Sequence, residues 1–193
     1  MSKDTKTALM DFAEHAARAR GFDGFSYADM AEAVGMRKAS VHYHFPTKAD
    51  LSVALMDRYH TDLEHACTQI NVNHETGAEQ LKALIAVYRA ALNHGKTLCL
   101  CVSFTASRES LPVEVTHKIG VFRTMLVNWI QVVFELGRQD GTVENVKSAP
   151  QEARATLALL EGAHLAARAE ESLAVFDRAT ELLAARCQSF SKS

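Results

Sequence analysis

The chain has 193 residues, of which 48% are hydrophobic and 23% charged, with a formal net charge of −2. That balance excludes an intrinsically disordered chain, and the near-neutral charge excludes a uniformly basic nucleic-acid coat, so any contact with nucleic acid has to be local. Three prolines and nine glycines are too few to punctuate a sandwich or barrel of short strands, and an all-α fold is predicted.

The N-terminal residues carry charges throughout and lack the apolar stretch of a secretory signal. The longest apolar run, around Leu98 to Phe104, falls far short of the ~20 residues a membrane span needs. Four cysteines (Cys67, Cys99, Cys101 and Cys187) show neither zinc-type pairs nor the density of a disulfide scaffold. A cytoplasmic protein without a membrane partner is expected, with no metal and no cofactor.

Glycines and prolines divide the chain into eight or nine helical segments, with Gly120 and Gly162 as interior exceptions. The first, about Lys3 to Arg20, places Leu9, Phe12, Ala13, Ala16 and Ala17 on one stripe and ends at Gly21. Ser26 with Asp29 three residues on reads as a capping box opening a short helix, about Tyr27 to Val34. Gly35 breaks it, Met36 to His44 resumes, and Pro46 stops the second helix. This spacing is that of a helix-turn-helix. Thr47 with Asp50 caps a longer helix from about Lys48 to Gln69. Further helices are predicted at about 78–93, 97–108, 112–138, 150–170 and 173–189.

Residues 1–60 hold eight basic and eight acidic side chains, yet Ala33 to Ala49 contain Arg37, Lys38 and Lys48, with His42 and His44, and no acid. A short cationic helix of this kind fits a major groove about 12 Å wide, with its N-terminal residues toward base edges and flanking cations on phosphates. Candidate DNA-contacting residues are Ser26, Tyr27, Arg37, Lys38, Ser40, His42, Tyr43, His44, Thr47 and Lys48.

The stretch GFDGFSYADMAEAVGMRKASVHYHFPTKADL, residues 21–51, resembles the TetR (tetracycline-repressor-like) family of bacterial transcriptional regulators. The likeness lies in the Gly-Phe start, the Ser cap, Ala31, Val34-Gly35, the Lys38-Ala39-Ser40-Val41 segment and the ending Tyr43 to Lys48. It implies a three-helix DNA-binding head over residues 1–55 and a helical effector-binding and dimerisation domain over 56–193. It also implies that Ser40 and Tyr43 meet bases or phosphates and that Lys48 meets backbone phosphate. His42 departs from the family pattern, in which Tyr is usual, and a different operator preference is expected.

One half-site is too little for specificity on a genomic scale, so a homodimer is expected. The segment 153–171 is apolar on two sides, one carrying Leu157, Leu160, His164 and Ala167, the other Ala155, Leu159, Gly162, Ala166 and Ala169. Leu159, Gly162 and Ala166, with Phe176, Ala179 and Leu183 on the last helix, which continues to Phe190, are assigned to a four-helix interface. The resemblance implies a small-molecule effector, for which Tyr88, His94, Cys99, Cys101, Phe104, Phe122, Met125, Trp129 and His164 offer an apolar, aromatic lining with polar points. A thiol of the Cys99/Cys101 pair, near Arg108 or His94, could be partly ionised and react with an electrophile or oxidant, although residues two apart on a helix face apart. No GxSxG, Walker-type loop or HExxH occurs, and an enzyme is not expected. The reading is a ligand-responsive regulator, most simply a repressor released from a palindromic operator.

Overall fold

A computed structural model describes residues 5–188; Lys3, expected in the first helix, and Phe190, expected on the last, lie outside them. Among the described residues there are nine α-helices: α1 (Thr5–Arg20), α2 (Tyr27–Val34), α3 (Lys38–His44), α4 (Lys48–Asn73), α5 (Gly77–Ala91), α6 (Leu100–Thr105), α7 (Val113–Gln139), α8 (Ala149–Ala169) and α9 (Leu173–Ala185). The only strand-like pairing among them is an isolated bridge between Val143 and Cys187. The fold is all-α, as composition predicts.

Boundaries shift where local chemistry is stronger than periodicity. α3 begins at Lys38 rather than Met36 because Gly35 closes α2 in the left-handed conformation (φ 71°) and Arg37 is still extended. α6 is shorter than expected. Asn93, His94 and Gly95 all take positive φ, and Thr97 folds back, its hydroxyl donating to the Ala91 carbonyl at 2.9 Å, so helix resumes only at Leu100. α4 runs past Gln69 to Asn73, until Thr76 and Glu79 form the capping box of α5.

The chain clusters into two compact units, one of residues up to Thr61 with Leu98–Val121, the other of Asp62–Thr97 with Phe122 onward. In the first, α1 packs on α2 and α6, and α2 on α3. Leu9, Ala13, Met30, Val41, Leu51, Leu55 and Phe104 fill its core. Arg58 on α4 reaches α1 through Asp11 (2.8 Å) and Glu14 (2.7 Å).

In the second unit α8 packs on α9, and both pack on α5. Gly77 opens α5 with its N–H bonded to Asp140 Oδ2 at 2.9 Å, and Ala78 N–H donates to Thr142 Oγ1 at 3.0 Å, so the turn after α7 caps α5. Burial pushes the Asp140 carboxyl up, but hydrogen bonds from the Thr142 hydroxyl, the Gly77 N–H and the Thr142 N–H outweigh it and hold the pKa below the ordinary aspartate range. A depressed carboxylate stabilises the fold above its unfolded pKa, and that contribution disappears as pH falls through the folded value. Thermal melts of Asp140→Asn should start lower at neutral pH and lose less than the parent chain below about pH 4. An equal acid-induced decline in the two would refute this role.

One expectation needs correction. α7, 27 residues long, is long and apolar enough by length and composition to cross a membrane, although no apolar run in the sequence looked adequate. Its buried residues Val115, Ile119, Phe122, Leu126, Ile130, Val133 and Phe134 recur at helical spacing, the pattern of a core helix in a globular fold. Its length was expected from sequence, but charged and polar residues on the opposite face interrupt every apolar run.

Candidate nucleic-acid interface

α2 and α3 are joined by a tight turn at Gly35–Arg37. Ser26 Oγ accepts from the Asp29 N–H (3.3 Å) while Asp29 Oδ2 accepts from the Ser26 N–H (2.7 Å), so both donors at the start of α2 are satisfied. Hydrogen bonds from the Ser26 backbone and hydroxyl lower the Asp29 pKa. Thr47 and Asp50 repeat the device at α4, with Thr47 N–H to Asp50 Oδ2 at 3.0 Å and Asp50 N–H to Thr47 Oγ1 at 3.1 Å. These caps hold a seven-residue helix that is too short to persist in isolation.

Val41 is fully buried and keys α3 to the core, which turns Arg37, Lys38, Ala39, His42 and Tyr43 outward. Tyr43 is 85% exposed. Arg37 and Lys38 pair with no acid among the described residues. Ser40 and His44 are half-buried. The exposed ring of His42 lies 4.8 Å from that of Tyr27, and its Nδ1 is 3.3 Å from the Pro46 carbonyl.

Four expected contact residues are engaged within the chain. Tyr27 is buried, and burial, helped by the charge of Asp50, pushes its hydroxyl up to about 12. Ser26 and Thr47 are occupied in caps. Lys48 donates to the Phe25 carbonyl at 2.9 Å and sits 4.8 and 4.6 Å from the ring centroids of Phe22 and Phe25. Burial lowers its pKa, partly offset by Asp23. An ammonium carries three donors, so this bond leaves others for a phosphate. What sequence could not reveal is that Lys48 ties the turn before α2 to the start of α4. Lys48→Met should therefore lower stability by about 1–2 kcal/mol, from one charge-assisted hydrogen bond and two cation–π contacts. A denaturant midpoint unchanged by the substitution would show that the tie carries nothing.

Residues 9–55 match the family model described as bacterial regulatory proteins, tetR family. A 64-residue segment is 33% identical to the HTH-type transcriptional regulator TtgR of Pseudomonas putida, a match that spans 33% of this chain and 30% of that protein. Over nearly its whole length the chain is similar to the crystal structure of a TetR-family transcriptional regulator from Agrobacterium tumefaciens, with 28% identity, 96% and 98% of the two chains covered, and a TM-score of 0.90. A TetR regulator from Legionella pneumophila shares the fold at 24% identity, with 97% and 99% covered and a TM-score of 0.86. Residues 9–55 thus carry the tetR-family signature, and the chain over nearly its whole length has the fold of TetR-family regulators.

The expected effector residues divide between the units. Cys99, Cys101 and Phe104 lie in the first, all buried. In the second, Tyr88 and His164 meet edge-on at 5.2 Å, with His164 Nε2 2.8 Å from the Tyr88 carbonyl and its ring 5.6 Å from Phe176. Phe122 is buried there, Met125 and Trp129 are half-buried, and Trp129 Nε1 donates to Asn71 Oδ1 at 3.2 Å. His94 is exposed. None of the nine lines the groove of about 740 Å³ in the first unit, which Asp50, Val53, Ala54, Asp57, Val113, Glu114, His117 and Lys118 border.

Of the two apolar faces of α8, one is buried within the chain and the other is largely exposed. Leu157, Leu160, His164 and Ala167 are buried, whereas Ala155, Gly162, Ala166 and Ala169 are exposed and Leu159 half-buried. A Cβ at Gly162 would meet nothing within 4 Å. On α9, Phe176 and Leu183 face their own core and Ala179 is half-buried. The outward apolar residues, Leu165 at 50% and Leu182 at 83% exposure, were not singled out from sequence, where spacing alone does not tell which of two apolar stripes is used internally.

Proposed function

We propose that this chain is a tetR-family regulator, a homodimeric repressor that binds a palindromic operator and is released by a small-molecule effector, acting in the cytoplasm. The observation that carries the reading is α3 itself: a buried Val41 fixes a short helix whose outward side carries Arg37, Lys38 and an 85% exposed Tyr43. Tyr43 and Ser40 read bases or phosphates, Arg37 and Lys38 meet phosphates, and the DNA-binding head comprises residues 1–55. With Nδ1–H donated to the Pro46 carbonyl, His42 offers an acceptor at Nε2, where a tyrosine would offer a hydroxyl, and this favours a base with an exposed amino group.

The exposed side of α8 together with Leu182 of α9 supports pairing of two copies through four helices, since small residues around Gly162 let helices approach closely. The effector seats in the second unit near Tyr88, Phe122, Met125, Trp129 and His164. It acts by favouring the head spacing that does not fit DNA, and a hundredfold loss of operator affinity corresponds to roughly 2.7 kcal/mol of coupling.

The test is binding to the DNA upstream of the chain's own coding sequence at several salt concentrations. Specific binding that falls steeply with salt is expected, because neutralised phosphates release counterions. A flat, sequence-blind response would overturn the proposal. Sedimentation at micromolar concentration should show a dimer.

A further inference from the structure

Cys99 and Cys101 form a chemical cluster that DNA reading does not use. Cys99 is not inside α6 but caps it, with extended ψ (138°), so the objection that residues two apart face apart does not apply: Cys101 sits in the first turn and its thiol reaches back to Cys99. The hydroxyl of Tyr59 on α4 donates to the same sulfur. The Cys101 thiol, against the opposing effect of burial, and then the Tyr59 hydroxyl and the first amides of α6 draw the Cys99 pKa below the ordinary thiol value. Burial pushes Cys67 up to about 12 and also raises Cys187, so those thiols stay protonated.

We propose that Cys99 and Cys101 are a peroxide-reactive pair that closes to a disulfide and releases the head from DNA; the release step rests on the regulator reading above. The Cys99 thiolate attacks the peroxide O–O bond, taking one oxygen as a sulfenic acid while the leaving alkoxide or hydroxide takes a proton. The Cys101 thiol then attacks that sulfur, the S–S bond forms and water departs. The peroxide gains the two electrons that the two thiols lose.

Both sulfurs are closed off, each residue 1% exposed, and access requires α6 to open. That helix has six residues, too few to be stable alone, so local opening is cheap. Once closed, an S–S bond of about 2.05 Å replaces the thiol–thiol hydrogen bond and draws Cys101 toward the cap, which strains the first turn of α6. α6 anchors the end of α1: Leu98 N–H donates to the Arg18 carbonyl (2.9 Å), Arg18 Nε to the Leu98 carbonyl (2.9 Å) and Ser103 Oγ to the Ala17 carbonyl (2.5 Å). Unwinding α6 removes the Ser103 tie and loosens the two at Leu98 beside its cap, just before the turn that leads into α2.

The experiment uses the full chain with Cys67→Ser and Cys187→Ser, treated with hydrogen peroxide, then read by intact mass and by binding to its upstream DNA. A loss of two hydrogens, at least tenfold weaker DNA binding, and recovery of both with dithiothreitol are expected. Cys101→Ser should stop at a sulfenic acid trapped by dimedone. The pH midpoint of alkylation should lie below the ordinary thiol value and rise in Tyr59→Phe. An unchanged mass, an oxidised chain that binds DNA as before, or an alkylation midpoint near the ordinary thiol value of about 8.5 would overturn the proposal. Mass and alkylation are measured without these two further substitutions, so they decide the chemistry even if a variant fails to fold. A reduced chain that binds no DNA defeats the regulator reading instead, and the mass then decides the thiol reaction by itself.

Discussion

Gly77→Ala should lower the stability of the chain by about 3 kcal/mol or more, which for a chain of this size moves the melting temperature down by roughly 6–12 °C. A Cβ at position 77 would lie 2.3 Å from both Cα and N of Gly137 and 2.8 Å from the Val133 carbonyl oxygen. All three are backbone atoms of α7, so relief requires α5 and α7 to separate, not a side chain to rotate. Separation would also break the Gly77 N–H bond to Asp140 and the Ala78 N–H bond to Thr142, leaving donors at the start of α5 unpaired. Gly120→Ala, inside α7, is the matched control. Its Cβ meets nothing within the chain, and removing a mid-helix glycine gains up to ~1 kcal/mol of helix propensity. Opposite signs in thermal melts of the two variants are the expected result, and a Gly77→Ala melt equal to the parent's would show that the helices accommodate a methyl group.

Tyr43→Ala and Lys38→Ala should separate base reading from phosphate holding. Tyr43 stands clear of the core, so its loss leaves folding unchanged while removing a contact worth about 1–3 kcal/mol, or roughly 10- to 100-fold in operator affinity, with discrimination between sequences reduced. Lys38 carries an exposed charge with no acidic partner among the described residues. Its replacement should weaken binding to all sequences alike and reduce the slope of log affinity against log salt by about one per contact. In a dimer each substitution counts twice. Fluorescence anisotropy on specific and scrambled duplexes across a salt series checks both, and an unchanged salt slope for Lys38→Ala would remove that lysine from the interface.

Much of the head was legible in the sequence because its signals are local. Ser26 with Asp29, Gly35, and Thr47 with Asp50 each act within four residues, and all three took up the expected geometry. The acid-free run from Ala33 to Ala49 likewise located the cationic helix. Lys48 shows where this ends. Its charge was visible, but its partner, the Phe25 carbonyl, is 23 residues away and is brought near only by packing. Tyr27 reads as an exposed helix-start residue and is instead buried against His42.

The later helices show the same division. Periodicity announced two apolar faces on α8, and the structure used Leu157, Leu160, His164 and Ala167 inwardly while leaving the Gly162 side exposed. By itself the sequence determined the helical class, the helix-turn-helix and the place of the positive charge, because caps, breakers and charge runs depend on neighbours along the chain. Tertiary structure alone decided which apolar face is buried, that Gly77 and Gly137 touch, and that Tyr59 joins Cys99 and Cys101, because those contacts link segments tens of residues apart and their energies exist only once the core has closed.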